Sequence, residues 1–202
     1  MAIVVIGGHS RNVGKTSVVC ALIRALTERH WTAIKITQCK HGTADAGPCD
    51  CELGGHATAI HEERELFTGT DSSRYLAAGA VRSLWVRTLA GKLVEAMPRI
   101  HDEIAQAENT ILESNSVLSF LQPDVYASVL DPQVPDFKAS ALKFLGRADA
   151  ILLPVGVDER ANWPGVSLQS IEGVSMFRIA APGCNSPEFT SFVAQKLDRG
   201  RG

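Results

Sequence analysis

The stretch Ala2-Ile-Val-Val-Ile-Gly-Gly-His-Ser-Arg-Asn-Val-Gly-Lys-Thr-Ser17 decides the fold of this chain. Its first five residues are apolar and mostly β-branched, which predicts a buried strand. A glycine-rich turn follows, and Gly14-Lys15-Thr16-Ser17 then opens a helical pattern. Because a Gly-Lys-Thr triplet binds phosphate when it lies between a strand and a helix, this order predicts a P-loop.

The chemistry expected of this loop follows from its parts. Backbone N–H groups and the positive end of the following helix suit a β-phosphate. Lys15 would add a charge at the β- and γ-phosphates, and the Thr16 hydroxyl would ligate Mg²⁺. The residues assigned to the nucleotide on this basis are Gly8, Asn12, Val13, Gly14, Lys15, Thr16 and Ser17.

The loop is one residue longer than the common Gly-x4-Gly-Lys-Thr form, because the spacing from Gly8 to Gly14 is Gly-x5-Gly-Lys-Thr and position 9 is His9. This longer form resembles dethiobiotin synthetase and the related P-loop class that includes signal-recognition and MinD-like NTPases. The resemblance implies an NTPase fold in which the backbone amides still surround the phosphate.

Length and composition predict one soluble domain over residues 1–202. The 20 basic and 22 acidic side chains nearly cancel, which argues against an electrostatic grip on nucleic acid. The apolar runs are too short for a membrane span or a signal peptide. The odd number of cysteines, five, favours a reducing compartment, so we expect a cytoplasmic protein.

Strand-like and helix-like patterns alternate after the P-loop, which predicts an α/β fold with a doubly wound, mostly parallel sheet in three layers. A glycine- and cysteine-rich stretch at about 39–55 reads as an insertion. Further strands are predicted at 31–37, 81–87, 110–113, 125–130, 150–155 and 176–180, and helices at 16–29, 71–80, 89–107, 137–145 and 187–197.

Ligands of such sheets bind at the carboxyl ends of the strands, where two charged residues are notable. Lys35 interrupts the apolar second strand, and we expect it to bind phosphate; the alternative is a lysine that reaches solvent from an edge strand. Glu113 ends the strand Thr110–Glu113, where an acid holds Mg²⁺ or orients water. The alternative there, which is compatible with that role, is a helix start in which Ser114 or Asn115 caps residues 117–121. With Lys15, these two residues form the predicted catalytic set.

The segment from Thr70 to Ala80, with Asp71-Ser-Ser-Arg74 and Ala78-Gly-Ala80, resembles the Lys-Asp-Ser-x-Arg-x-x-x-Ala-Gly-Ala segment of the molybdopterin-guanine dinucleotide biosynthesis adapter family. The steps at Ile34-Lys35 and at Ile111-Leu-Glu113 resemble further parts of that family, in matching order over roughly residues 1–120. The resemblance implies GTP binding, a homodimer and a partner enzyme of molybdenum cofactor biosynthesis. It places Asp71 and Arg74 near the nucleotide or a paired subunit; the alternative is a helix that starts at an Asp71 cap.

A second candidate site lies in the cysteine-bearing loop. Cys39, Cys49, Cys51 and His56 supply soft ligands that suit Zn²⁺ or an iron–sulfur cluster. Their spacing lacks the Cys-x2-Cys knuckle, so reduced thiols facing solvent are the alternative.

Base recognition is left open by the sequence. The Asn-Lys-x-Asp signature of guanine is absent, and Asn185, in a turn-rich segment after the last strand, is the candidate base contact. The alternative is that Asn185 serves as a turn or cap residue. Three functions follow: a Mg²⁺-dependent NTPase acting on GTP or ATP, a non-hydrolytic nucleotide-binding adapter, or an ATP-dependent synthetase or kinase of a small carboxylate. The last of these is the activity implied by the likeness to dethiobiotin synthetase.

Overall fold

The computed structural model describes residues 1–39, 58–157, 163, 171–181 and 183–200. They form one eight-stranded, mostly parallel sheet with helices on both faces, which confirms the predicted α/β class. The strands are β1 (Ala2–Gly8), β2 (Trp31–Cys39), β3 (Thr58–Glu63), β4 (Arg82–Leu89), β5 (Asn109–Glu113), β6 (Val125–Val129), β7 (Ala150–Pro154) and β8 (Ser175–Ile179). The helices are α1 (Lys15–Ala25), α2 (Asp71–Ala77), α3 (Leu93–Gln106), α4 (Ala139–Leu145) and α5 (Pro187–Arg199), with short 3₁₀ helices at Thr27–Arg29 and Ser116–Ser119.

The strand order is β3-β4-β2-β5-β1-β6-β7-β8, so β1 lies in the middle between β5 and β6. Both pairings of β1 are parallel, and they bring Ile6 level with Glu113 on one side and with Ala127 on the other. The carboxyl ends of the central strands therefore meet around the loop that follows β1.

The sheet separates two apolar layers. One contains the buried faces of α1, α2 and α5, and the other contains those of α3 and α4. Helix α1 buries Val18, Val19, Leu22 and Ile23, whose spacing forms one apolar stripe. Each such side chain contributes about 1.5–3 kcal/mol on burial, which fixes α1, and with it the P-loop, against the sheet.

Strand β3 was not predicted from the sequence. It pairs antiparallel with β4 at the edge of the sheet, and only Ala59 and Ile60 among its residues are apolar. A mostly polar edge strand lacks the alternating pattern that identifies half-buried strands. The long predicted helix at 89–107 is also shorter in the structure, because Leu89 ends β4 and α3 begins at Leu93.

The predicted insertion at 39–55 is described only at Cys39, the last residue of β2. Cys49, Cys51 and His56 lie outside the described residues. None of the helices in the described ranges is long and apolar enough to cross a membrane.

Candidate nucleotide-binding site

The P-loop connects Gly8, the last residue of β1, to Lys15, the first residue of α1. Gly14 has φ 96° and Asn12 has φ 59°, so the loop enters the left-handed region twice, once at a glycine and once at the residue type that tolerates it best after glycine. A Cβ on Gly7 would lie 2.2 Å from Asn115 Oδ1. Glycine is therefore required where β1 meets the loop.

His9, the residue that lengthens the loop, is fully buried. Its Nδ1 lies 2.8 Å from the carbonyl oxygen of Asp136, and its Nε2 accepts the Asp131 N–H at 3.0 Å. Because a carbonyl can only accept, Nδ1 carries the proton and the ring is neutral. Burial, and to a smaller extent the charge of Lys15, lower the pKa of His9 below 6.5 against the opposing effect of Asp136.

Two more hydrogen bonds tie the first half of the loop to the connection between β6 and α4. The Ser10 hydroxyl donates to Asp136 Oδ2 at 2.7 Å, and the Lys138 N–H donates to the His9 carbonyl at 2.8 Å. The rings of Phe137 and Trp163 pack on His9 with centroid distances of 5.2 and 5.0 Å. The loop is thus positioned by residues far from it in sequence.

Glu113 is the centre of the site. Its side chain is only 3% exposed, and it accepts hydrogen bonds from three elements. The Thr16 hydroxyl donates to Oε2 at 2.7 Å, and the Tyr75 hydroxyl donates to the same oxygen. The Lys35 ammonium donates to Oε1. A buried carboxylate with this set of donors is held in one orientation beside the first turn of α1.

Lys35 lies on β2, which is inside the sheet between β4 and β5, so the edge-strand alternative does not apply. Its ammonium also donates to Asp71 Oδ2 at 2.8 Å, which makes it a bridge between two carboxylates. Burial alone would lower the pKa of Lys35, but Glu113 and Asp71 raise it above 10.5. Lys35 therefore carries its charge at any working pH.

Helix α2 contributes Asp71, which contacts Lys35, and Arg74, which contacts Ser17. The cap of α2 is Thr70, whose hydroxyl accepts the Ser73 N–H at 3.1 Å, and not Asp71 as the capping alternative supposed. The Asp71 carboxylate is consequently available to Lys35, and burial, which would raise its pKa, is outweighed by that bond and charge. Arg74 donates to Ser17 Oγ at 3.1 Å and to Asp71 at 3.4 Å.

Lys15 donates to the Ser10 carbonyl of its own loop at 2.6 Å. Burial lowers its pKa from 10.5 to about 8; Glu113 opposes that change, and the charges of Lys138 and Lys35 add to it. Burial disfavours the charged form of Lys15, and a bound anion would favour it again. Lys15 is therefore suited to bind an anionic group such as a phosphate.

The structure thus brings together Lys15, Thr16, Ser17, Lys35, Asp71, Arg74 and Glu113. Sequence reasoning missed Tyr75 and the anchoring role of His9. The i, i+4 spacing of Asp71 and Tyr75 on one helical face was a signal that could have identified the tyrosine. Of the two capping candidates after β5, Ser114 caps the following turn, because its Oγ accepts the Val117 N–H at 3.3 Å. Asn115 instead binds the P-loop backbone.

Asn185 forms an isolated antiparallel bridge with Ala180. This turn lies against the P-loop, since a Cβ on Gly14 would be 3.1 Å from Cys184 Sγ. At the other candidate site, Cys39 is half-buried, and no cluster of three or more metal-ligating side chains occurs in the described part of the chain.

No family model matches the sequence, and no curated protein matches it significantly. Among solved structures, HypB from Helicobacter pylori in complex with nickel is similar, with 14% identity, coverage of 98% of this chain and 87% of that chain, and a TM-score of 0.52. LpxK from Aquifex aeolicus in complex with ATP matches with 18% identity, coverage of 89% and 54%, and a TM-score of 0.47. MobB from Bacillus subtilis matches with 16% identity, coverage of 97% and 98%, and a TM-score of 0.41. At 14% identity the similarity to HypB concerns the fold alone, which is the α/β P-loop NTPase fold predicted from the sequence.

Proposed function

We propose that this protein binds the Mg²⁺ complex of a purine nucleoside triphosphate, ATP or GTP, and hydrolyses it slowly. The observation that carries the proposal is the position of Glu113, whose carboxylate accepts hydrogen bonds from Thr16 and Lys35 beside the P-loop. In P-loop NTPases the loop hydroxyl and a nearby acid hold Mg²⁺, so a buried carboxylate beside Thr16 suits phosphoryl transfer.

The residues at this point fit Mg²⁺. The Thr16 hydroxyl and the carboxylates of Glu113 and Asp71 are hard oxygen donors, linked to one another directly or through Lys35. Thr16 would bind the ion, and Glu113 would hold it directly or through water. Bound there with nucleotide, Mg²⁺ would neutralise charge on the β- and γ-phosphates.

In hydrolysis, water attacks the γ-phosphorus and releases a proton to solvent, the bond from phosphorus to the β–γ bridging oxygen breaks, and the nucleoside diphosphate and inorganic phosphate leave. The loop amides and Lys15 would stabilise the charge that develops on the bridging oxygen, and Lys35 would face the γ-phosphate. Glu113 keeps Lys35 charged and oriented.

The test is a titration with ATP and GTP, each with Mg²⁺, against the Lys15→Ala variant. We expect this variant to fold and to lose nucleotide binding, because Lys15 is partly exposed and its only hydrogen bond in the described structure is to a loop carbonyl. Lys143→Ala, which removes an exposed lysine from α4, is the matched control. Unchanged nucleotide affinity in folded Lys15→Ala would refute the P-loop reading.

A more specific role is an adapter in molybdenum cofactor biosynthesis, acting as a homodimer that docks on a partner enzyme. It is supported by the Asp71 to Arg74 segment, which carries the resemblance to that family and contacts Ser17 and Lys35. A preference for GTP and negligible turnover without a partner would be expected of an adapter. Stimulation of ATP turnover by a small carboxylic acid would instead favour the synthetase. Assaying zinc and iron on the same sample tests the predicted cysteine site.

A further inference from the structure

Lys138 is a lysine next to the P-loop whose ammonium is not used by the contacts described above. Its side chain is partly buried, yet within the described residues the ammonium makes no hydrogen bond and no ion pair. The other two lysines of the site differ, since Lys15 donates to Ser10 and Lys35 donates to Asp71 and Glu113. Withdrawing a lysine from water without a partner is unfavourable, so its position calls for an explanation.

The backbone of Lys138 is held against the loop by contacts on both sides. Its own N–H donates to the His9 carbonyl at 2.8 Å. Two residues earlier, Asp136 accepts the Ser10 hydroxyl at 2.7 Å, and the intervening Phe137 ring packs on His9. The backbone of Lys138 therefore lies beside the loop on the β6 side of β1, whereas Lys35 is on β2, on the opposite side of β1.

The ammonium of Lys138 interacts electrostatically with the charged groups of the site. Burial lowers the pKa of Lys138, and the charges of Arg11 and Lys35 lower it further, while Asp136 and Glu113 act in the opposite direction. Lys138 in turn lowers the pKa of Lys15. Three lysines thus repel one another around the loop, and an anion among them would relieve that repulsion.

We propose that Lys138 is a phosphate ligand that contacts the γ-phosphate of the bound triphosphate. This inference rests on the proposed function and deepens it. Lys138 stabilises the charge on the γ-phosphoryl oxygens while the bond to the bridging oxygen breaks and water adds to phosphorus. It supplies from this chain the cation that a partner protein supplies to some P-loop NTPases. Arg74, on α2, donates to Ser17 and Asp71 instead.

The experiment compares Lys138→Met with Lys143→Met, which removes an exposed lysine from the same segment of chain. The anchor to His9 uses the backbone N–H of residue 138, so the Met variant keeps it. Dissociation constants are measured for ATP, GTP, ADP and GDP with Mg²⁺, together with single-turnover rates. Lys138→Gln is a second uncharged variant that guards against misfolding of the first, and Lys138→Arg restores the charge.

We expect Lys138→Met to weaken triphosphate binding about tenfold and to slow turnover about tenfold or more, with diphosphate affinity changed less than about twofold. Lys138→Arg should lie within about threefold of the wild type, since the charge is retained. If both uncharged variants match Lys143→Met in the triphosphate-to-diphosphate affinity ratio and in rate, the γ-phosphate contact is wrong while the nucleotide site stands. If the wild type itself binds no nucleotide, the proposed function fails first, and this inference fails with it.

Discussion

The side-chain amide of Asn115 makes two hydrogen bonds with the main chain of Gly8. The Gly8 N–H donates to Asn115 Oδ1 at 2.9 Å, and Asn115 Nδ2 donates to the Gly8 carbonyl at 2.8 Å. Strand β5 has ended by this point, so the amide continues the pairing that the backbone of β5 gives to β1 up to Ile6. The entry to the P-loop is therefore fixed by a side chain that follows Glu113 by two residues.

Replacing Asn115 with Ala should loosen this entry. Gly8 would lose the side-chain partners of its N–H and C=O, so we expect the free energy of unfolding to fall by about 1–3 kcal/mol. Nucleotide affinity should fall as well, because the amides of the loop are no longer pre-positioned. Denaturant unfolding and nucleotide titration measure the two effects. Ser119→Ala, an exposed site in the adjoining 3₁₀ helix, is the control, and equal results for the two variants would contradict the role of Asn115.

Tyr75→Phe removes one of the two hydroxyl donors to Glu113 Oε2 and leaves the ring in the core. Burial, and then the charge of Glu113, raise the pKa of Tyr75 well above 10. The hydroxyl therefore stays protonated and donates its hydrogen bond at neutral and mildly alkaline pH. With Thr16 ligating Mg²⁺ as proposed, Tyr75 would be the hydroxyl that still donates to this oxygen. We expect turnover to fall about tenfold with a smaller change in nucleotide affinity.

The matched control for Tyr75→Phe is Tyr126→Phe. Tyr126 is also buried, but it packs in the other apolar layer and makes no hydrogen bond to Glu113. Rates and dissociation constants measured for both variants separate the loss of the Glu113 contact from the general loss of a buried hydroxyl. Equal turnover in the two would argue against positioning by Tyr75.

The sequence was sufficient for the features that have a short-range signature. The P-loop, the central parallel strands, Lys35 within β2 and Glu113 at the end of β5 follow from local pattern and from the rule for strand ends. The contacts of His9 with residues 131–136 and of Asn115 with Gly8 join segments more than 100 positions apart. Nothing local encodes such a pairing, because the sheet order alone brings the partners together. Strand β3 was not predicted for a related reason. Its stability comes from pairing with β4, and its own sequence lacks an alternating apolar pattern.

Nucleotide affinity should decrease at alkaline pH. In the protein alone the pKa of Lys15 is about 8, chiefly because of burial. A bound phosphate favours the ammonium, so above that pH the complex holds a proton that the protein alone has lost. Affinity is therefore level below about pH 8 and falls above it, by up to about tenfold per pH unit. Titrations across this range, with Lys15→Arg as a variant that stays protonated, test the prediction; a decline of the same steepness in Lys15→Arg would contradict it.

His9 should make the stability of the protein depend on pH in the mildly acidic range. Because burial holds its folded-state pKa below 6.5, the unfolded chain binds the proton more readily. The stability that the neutral ring contributes is complete above about pH 6.5 and is lost as pH falls towards the folded-state pKa, by up to about 1.4 kcal/mol per pH unit. Protonation at Nε2 also breaks the bond that accepts the Asp131 N–H. Unfolding free energies measured at several pH values should therefore slope less for His9→Gln than for the wild type, while His101→Gln, at an exposed position on α3, keeps the wild-type slope. Parallel curves for wild type and His9→Gln would mean that the ring is not the group that titrates, and that the loop is anchored by its backbone contacts alone.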